Sequence, residues 1–498
     1  MQRGKNYIAG QWVDPSNGRW RPVLDPSTGE TFAEIADSGA ADGDAAVAAA
    51  KAAFETGPWP RLSPEERRGY LLRLAEILVP QAGELSELIA RDAGCPIRVT
   101  EFMQVATPIG HLEDFANQAL LMKPVALPVV HDPSFAQSEI HREPVGVCAG
   151  FTPFNFPLFM SIWKVGGAIA MGNSVVVKPS PLAPLAANAL AQACEDAGIP
   201  PGVVNVVHGD VEVGERLASH PNVDMVSFTG STAVGRRVME MAAGTIKKVV
   251  LELGGKSPAV VLDDADIELA VRGTIFGFLL HAGQGCVCTT RMLVPRSRAD
   301  EVVDLLLERV AAVQVGSAME FSSDMGPLIS AAQLDKVERY VTSAVDQGAK
   351  VAIGGNRLTD RGGGFYFEPT VLVGVTPDMN VACEEVFGPV LSVIPYDDDD
   401  DAIRIANDSD YGLAAAVWGN DLRRAREIGT RLRAGTVWIN DFGQVSANGP
   451  FGGYKQSGLG RELSPEGTLE YTELKHLYTA LDRDLDRRPY SLVGMDWD

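Results

Sequence analysis

The sequence predicts an α/β protein built on parallel sheets, and two stretches predict it. From residue 144, short apolar runs at 145–149, 174–178, 203–207 and 225–228 alternate with helical stretches such as 183–197 and 233–243. Apolar strands separated by helices are βαβ units, in which helices cover both faces of a parallel sheet. A second series runs from about 255 to 445, with strands expected at 260–262, 292–294, 390–394 and 436–440. Such sheets bind ligands beyond the carboxyl ends of their strands.

Other elements flank these units. Residues 44–115 have a helical pattern, with an Ala-rich helix at 45–54. Ser63-Pro64-Glu65-Glu66 is a capping box with proline at the first helical position, and it opens a second helix. Residues 125–143 alternate in polarity and contain Pro and His, as in an exposed hairpin. The most apolar long window, 158–177, contains Lys164, Asn173 and several glycines, so it reads as buried helix, turn and strand rather than a membrane span. Residues 481–498, rich in Asp and Arg, read as an extension docked on a surface or another subunit.

Composition bounds the function. A chain of 498 residues is too long for one core and predicts two to four domains. Hydrophobic residues at 46% and charged residues at 22% fit a soluble globular protein. A net charge of −22 argues against nucleic acid or an anionic membrane as the main partner, since both require a basic face. The six cysteines include no CxxC pair and residues 1–12 have no apolar signal core, so a reduced, cytoplasmic protein is expected. The seven histidines show no ligand-type spacing, and no metal is expected. The acidic run 397–401 lacks EF-hand spacing and reads as a solvated helix start. Trp12, Trp20, Trp59 and Trp163 read as packing residues.

Four stretches have residues suited to chemistry. In Phe151-Thr152-Pro153-Phe154-Asn155-Phe156-Pro157, Asn155 is either a turn residue or a fixed amide donor aimed into a cleft. Gly230-Ser231-Thr232-Ala233-Val234-Gly235 follows an apolar strand and opens a helix. Its backbone N–H groups either meet a phosphate or merely form a tight helix-start turn. Arg236 stands where a P-loop requires Lys-Ser/Thr, and there is no GxGxxG. Glu252, in Leu251-Glu252-Leu253-Gly254-Gly255-Lys256, either faces solvent on an edge strand or is a buried carboxyl of raised pKa suited to general base work. Gly283-Gln284-Gly285-Cys286-Val287-Cys288 places a thiol in a turn before a strand, where it is better exposed than a core cysteine. Cys95, Cys148, Cys194 and Cys383 read as inert core thiols.

Together these stretches resemble the aldehyde dehydrogenase superfamily of the non-acylating type. The likeness runs from Tyr7-Ile8-Ala9-Gly10-Gln11-Trp12 to Glu470-Tyr471-Thr472-Glu473-Leu474-Lys475, through PFNFP, VVVKPS, FTGSTAVG, LELGGKSP, GQxC, EEVFGPV and NGPFGGYKQSG in that order. The resemblance implies an aldehyde dehydrogenase-like fold. A Rossmann-type NAD(P)-binding domain would take 1–124 and 144–252, and an α/β catalytic domain 253–445. A small β oligomerisation hairpin with the C-terminal segment would take 125–143 and 446–498, giving a homodimer or homotetramer.

The resemblance also implies site residues. Cys286 would attack a small-molecule aldehyde, with Asn155 and the Cys286 N–H holding the oxyanion. Glu252 would activate the water that hydrolyses the thioester, and its presence favours a free acid over transfer to coenzyme A. Lys178 would bond the adenosine ribose and Ser231 would meet the pyrophosphate, with Thr152, Pro153, Phe154, Ser180, Pro181, Gly209, Phe228, Gly230 and Leu253 also lining the cofactor. Glu385 and Phe387 would hold the nicotinamide ribose and ring side. Where NAD-preferring members often carry Glu this sequence has Pro181, which admits NADP beside NAD.

Cys286-Val287-Cys288 resembles the loop of succinate-semialdehyde dehydrogenases, but the positions of their two substrate-reading arginines are Trp163 and Leu280 here. A carboxylate left unpaired against them is disfavoured. Tunnel positions Phe156, Met160, Trp163, Val287 and Phe451 therefore imply an apolar aliphatic or aromatic aldehyde. The alternatives are a semialdehyde dehydrogenase or a silent scaffold relative, against which Cys286, Glu252, Asn155 and Lys178 all speak. Under oxidation, Cys286 and Cys288 are expected to form a strained disulfide that blocks turnover.

Overall fold

The computed structural model describes residues 2–132 and 134–493. Its first large sheet has eight strands, in spatial order Gly458–Leu459, Lys248–Glu252, Met225–Thr229, Val147–Thr152, Ser174–Pro179, Val204–Val206, Asn6–Ile8 and Gln11–Val13. The five central strands run parallel. The strand Ser174–Pro179 shows why its sequence is a continuous apolar run. Val175 and Val177 join one core with the helix Pro157–Ala170, while Val176 joins another with the helix Ala40–Glu55. With both faces covered, alternation between polar and apolar residues disappears.

Val147–Thr152 comes first in the parallel series, and its neighbours Ser174–Pro179 and Met225–Thr229 lead away from it in opposite directions. The strand order reverses there, so a crevice opens beyond the carboxyl ends at Thr152 and Thr229. The window 158–177 is the helix Pro157–Ala170, a turn and a strand, as expected. Among the described residues, no helix is long and apolar enough to cross a membrane.

The second sheet has the order Lys350–Ile353, Thr370–Val373, Val390–Tyr396, Arg291–Pro295, Pro258–Val261, Ala414–Trp418, Thr436–Ile439, all parallel except the first. A third, small sheet is the expected hairpin, Val125–Ala126 with Ala136–Pro144. Thr472–Ala480 extends it in unbroken antiparallel register, from Thr472 opposite Pro144 to Ala480 opposite Ala136. Gly458–Leu459, from the same C-terminal stretch, joins the first sheet instead.

The capping box is present: Glu66 N–H donates to Ser63 Oγ at 3.2 Å, and Ser63 N–H to Glu66 Oε2 at 2.7 Å, opening the helix Pro64–Leu78. The acidic run starts the helix Asp399–Asn407, with Asp398 accepting from Asp401 N–H. The extension after residue 480 docks on the chain's own hairpin, Leu481 N–H donating to Phe135 O at 2.8 Å and Arg487 to His131 O at 2.9 Å. Its residues 494–498 lie outside the described residues.

One expectation is corrected. Cys383 is not a core thiol; it ends the short surface helix Asn380–Cys383 and is exposed, its Sγ donating to Pro377 O at 3.0 Å. Within the expected helical region, Thr100–Ala106 is a π-helical turn between Ile97–Val99 and Thr107–Gln118. Also unforeseen is an N-terminal sheet of Gln2–Gly4, Thr31–Ala36 and Trp20–Leu24.

Candidate active site

A cleft of about 450 Å³ opens at the crevice where the strand order reverses, between the two large sheets. Thr152, Pro153, Phe154, Asn155, Phe156 and Met160 line it from the end of Val147–Thr152 and the helix beyond it. Lys178, Ser180 and Pro181 come from the end of the next strand. Phe228, Gly230 and Ser231 come from Met225–Thr229 and its turn, and Glu252 and Leu253 from Lys248–Glu252. The second half of the chain contributes Cys286, Glu385 and Phe387.

The thiol sits on a braced turn. His281, Ala282 and Gly283 are all left-handed, with φ of +51°, +53° and +72°. A Cβ at Gly283 would stand 2.1 Å from Gly388 O, so close approach as well as φ requires glycine. Gln284, fully buried, ties the turn: its Nε2 donates to His281 O at 3.1 Å and its Oε1 accepts from Ile329 N–H at 3.0 Å. Its backbone carbonyl accepts from Asn155 Nδ2 at 2.7 Å, fixing that amide beside the turn. Asn155 is therefore a held amide rather than a solvent-facing turn residue. Burial and the carboxyls of Glu252 and Glu385 push the Cys286 thiol well above its ordinary range. Cys288 is buried, and both thiols are free.

Glu252 is 1% exposed, and Gly458–Leu459 pairs outside its strand, so it is not an edge residue. Its carboxyl oxygens have no partner other than the neighbouring Cys286 thiol. Burial pushes its pKa up to about 8, against the cation of Lys164 and reinforced by Glu462. An ionisable carboxyl beside a thiol can take a proton from a water or a sulfur near neutral pH.

The far end of the cleft suits a phosphorylated, polyhydroxylated ligand. Lys178 Nζ donates to the carbonyl of Pro179 at 3.2 Å, and burial lowers its pKa to about 8. Ser231 caps the helix Thr232–Ala242, accepting from Val234 N–H at 3.4 Å, so the tight helix start and an N–H-rich helix end facing the cleft coincide. Glu385 accepts Gly255 N–H at 3.0 Å, and a Cβ at Gly254 would lie 2.5 Å from its Oε2. Phe154 and Phe387 meet edge to face at 5.8 Å.

Gly209, Trp163, Val287 and Phe451 do not line this cleft. Gly209 packs against Ser38 across an isolated bridge. Trp163 and Phe451 stand behind it in an aromatic series, Phe156–Phe159 at 5.9 Å, Phe159–Trp163 at 4.8 Å and Trp163–Phe451 at 5.3 Å. Trp163 Nε1 donates to His111 Nδ1 at 3.0 Å, a buried polar pair the sequence does not reveal. The cleft also takes Gln333 and Lys336 from the helix Ala331–Asp346, where they read as ordinary polar positions of an amphipathic helix.

The aldehyde dehydrogenase family model matches residues 12–477. The chain is 40% identical over 480 residues to the betaine aldehyde dehydrogenase of Bacillus subtilis (strain 168), covering 95% of this chain and 96% of that one. Betaine aldehyde dehydrogenase from Staphylococcus aureus in complex with NAD+ superposes with a TM-score of 0.94 at 37% identity, covering 97% of this chain and 95% of that chain. The NAD+ complex of aldehyde dehydrogenase from Bacillus cereus gives 0.94 at 38%, covering 97% of each. The chain belongs to the aldehyde dehydrogenase family.

Proposed function

We propose that the protein oxidises an aldehyde to its free carboxylic acid with NAD+ as acceptor. One observation carries the reading: a thiol, a held amide and a buried carboxyl share one end of a cleft whose other end suits a dinucleotide. Lys178, Ser180 and Pro181 would hold the adenosine ribose, Ser231 the pyrophosphate and Glu385 the nicotinamide ribose, and the NAD+ complexes of the two relatives support that cofactor. Bound there, the nicotinamide supplies the hydride acceptor.

The chain's residues supply the rest. The Cys286 thiol gives its proton to Glu252, which passes it on to solvent, and bonds through sulfur to the aldehyde carbon as the carbonyl π electrons move onto oxygen. Asn155 Nδ2–H and the Cys286 N–H hold that oxyanion. Loss of hydride from the same carbon leaves a thioester on Cys286. Glu252 takes a proton from water as the oxygen attacks the thioester, and the C–S bond breaks to release the acid and restore the sulfur.

The apolar cleft positions Phe156 and Met160 support an uncharged or cationic aldehyde over a carboxylate-bearing one. A cationic substrate is a second reading, favoured by the names of the betaine aldehyde dehydrogenase relatives and by Phe156, an aromatic side chain lining the cleft, since ring faces attract an ammonium group. The hairpin sheet, with Leu474, Leu477 and Tyr478 exposed, supports assembly with further copies of the chain.

The test monitors nicotinamide reduction with aliphatic, aromatic, ammonium-bearing and carboxylate-bearing aldehydes, using NAD+ and NADP+, on wild type and Cys286→Ala. Wild-type turnover that Cys286→Ala abolishes while still binding NAD+ is expected. A folded, cofactor-binding wild type that is silent with every aldehyde would overturn the reading in favour of a non-catalytic relative.

A further inference from the structure

We infer that Gln104, carried by the π-helical turn Thr100–Ala106, is a positioning residue for the oxyanion amide of Asn155; the inference rests on the dehydrogenase reading above. Gln104 is fully buried, and its Nε2 donates to the backbone carbonyl of Asn155 at 3.0 Å. The side chain of Asn155 is tied separately, by Nδ2 to Gln284 O at 2.7 Å. Asn155 is thus clamped at both ends. One amide N–H is occupied by Gln284, the backbone is anchored by Gln104, and the second amide N–H remains for the cleft that Asn155 lines.

The π turn explains how Gln104 reaches that carbonyl, and the sequence explains the π turn. A proline lacks its N–H, and its ring clashes with the carbonyl four residues earlier. For Pro108 that carbonyl belongs to Gln104. The helix relieves the clash by widening: Thr107 N–H bonds to Phe102 O, five residues back, and Thr107 Oγ1 donates to the same carbonyl at 2.9 Å. One extra residue in a turn rotates the helix on its N-terminal side by about 100° relative to the helix on its C-terminal side. Gln104 and the helix Thr107–Gln118 therefore pack inward together, Gln104 toward Asn155 and Ile109, Leu112 and Phe115 into the core. A seven-residue π segment is a rare and poor helix, and such segments concentrate at functional sites. Here its product is a buried amide touching the backbone of the proposed oxyanion donor.

The distinguishing prediction separates a reaction that builds an oxyanion from one that does not. Gln104→Met keeps length and volume but removes the donor. Aldehyde oxidation at saturating NAD+ is expected to fall at least tenfold in kcat/KM. Alkylation of Cys286 by iodoacetamide, which develops no oxyanion, and the NAD+ dissociation constant are expected to stay within twofold. In an Asn155→Ala background, Gln104→Met is expected to add less than a twofold loss, because its effect passes through Asn155. If Met prevents folding, Gln104→Asn serves in the same comparison: it keeps the amide but withdraws it by one methylene, and the same split is expected. Turnover within twofold of wild type, or turnover and alkylation falling in parallel, would overturn the inference. A wild type silent toward every aldehyde would instead overturn the dehydrogenase reading.

Discussion

Lys164 donates its ammonium to Glu462 across 298 residues of sequence, both side chains are buried, and the pair lies within electrostatic reach of Glu252. Ser227 Oγ donates to the same Glu462 oxygen at 3.2 Å. The proposed base is therefore poised between a cation that eases its ionisation and an anion that opposes it.

A pH profile should expose that balance. The base works unprotonated, so activity should rise with pH through about 8, the value to which burial raises Glu252. Glu462→Gln removes an anion and should move this limb to lower pH, while Lys164→Met removes a cation and should move it to higher pH. Both variants strand a buried group and should cost about 3–5 kcal/mol of stability. Limbs that stay fixed, or move together, in urea-checked folded protein would contradict the arrangement.

Asn155→Ala should lower kcat by about 10²- to 10³-fold, the usual loss when one oxyanion donor is removed. NAD+ affinity should change little, as measured by fluorescence titration. A loss confined to KM would assign Asn155 to ground-state binding instead.

Pro181→Glu restores a carboxylate beside Lys178 and Ser180. It should lower kcat/KM for NADP+ at least tenfold by repelling the 2′-phosphate and leave that for NAD+ within a few-fold. An unchanged NADP+/NAD+ ratio would place cofactor choice elsewhere.

Ser63→Ala removes the oxygen that accepts Glu66 N–H at the start of Pro64–Leu78. The expected cost is about 1 kcal/mol in denaturant unfolding, without effect on kcat. A wild-type unfolding curve would show the box to be energetically idle.

The parts of the site that the sequence discloses share a physical property. Asn155, Glu252 and Cys286 stand in short stretches whose local composition already conflicts with ordinary packing: an amide among prolines and aromatics, a carboxyl in an apolar strand, a thiol in a glycine turn. Such conflicts are visible one segment at a time. Gln104 and His111 sit in segments whose pattern is unremarkable, and Gln284 stands out only as a neighbour of the thiol. Their function comes from partners 51, 52 and 129 positions away in the pairs Gln104–Asn155, His111–Trp163 and Asn155–Gln284, which only the folded chain brings together. Cys383 departs from expectation because a lone cysteine's burial depends on whether its short helix lies on the surface, and composition does not show that.

The strand Gly458–Leu459 gives the chain a timetable. It is the outer neighbour of Lys248–Glu252, and its register sets Gly458 beside Glu252. Until those residues leave the ribosome, the strand carrying Glu252 is a bare sheet edge, hydrated and with the ordinary acidity of an exposed carboxyl. The nucleotide sheet can form earlier, from contacts closer in sequence, while the base acquires its altered proton affinity only once Gly458 and Leu459 have been made. The strand Gly458–Leu459 would thus work as an arming step for chemistry encoded far upstream.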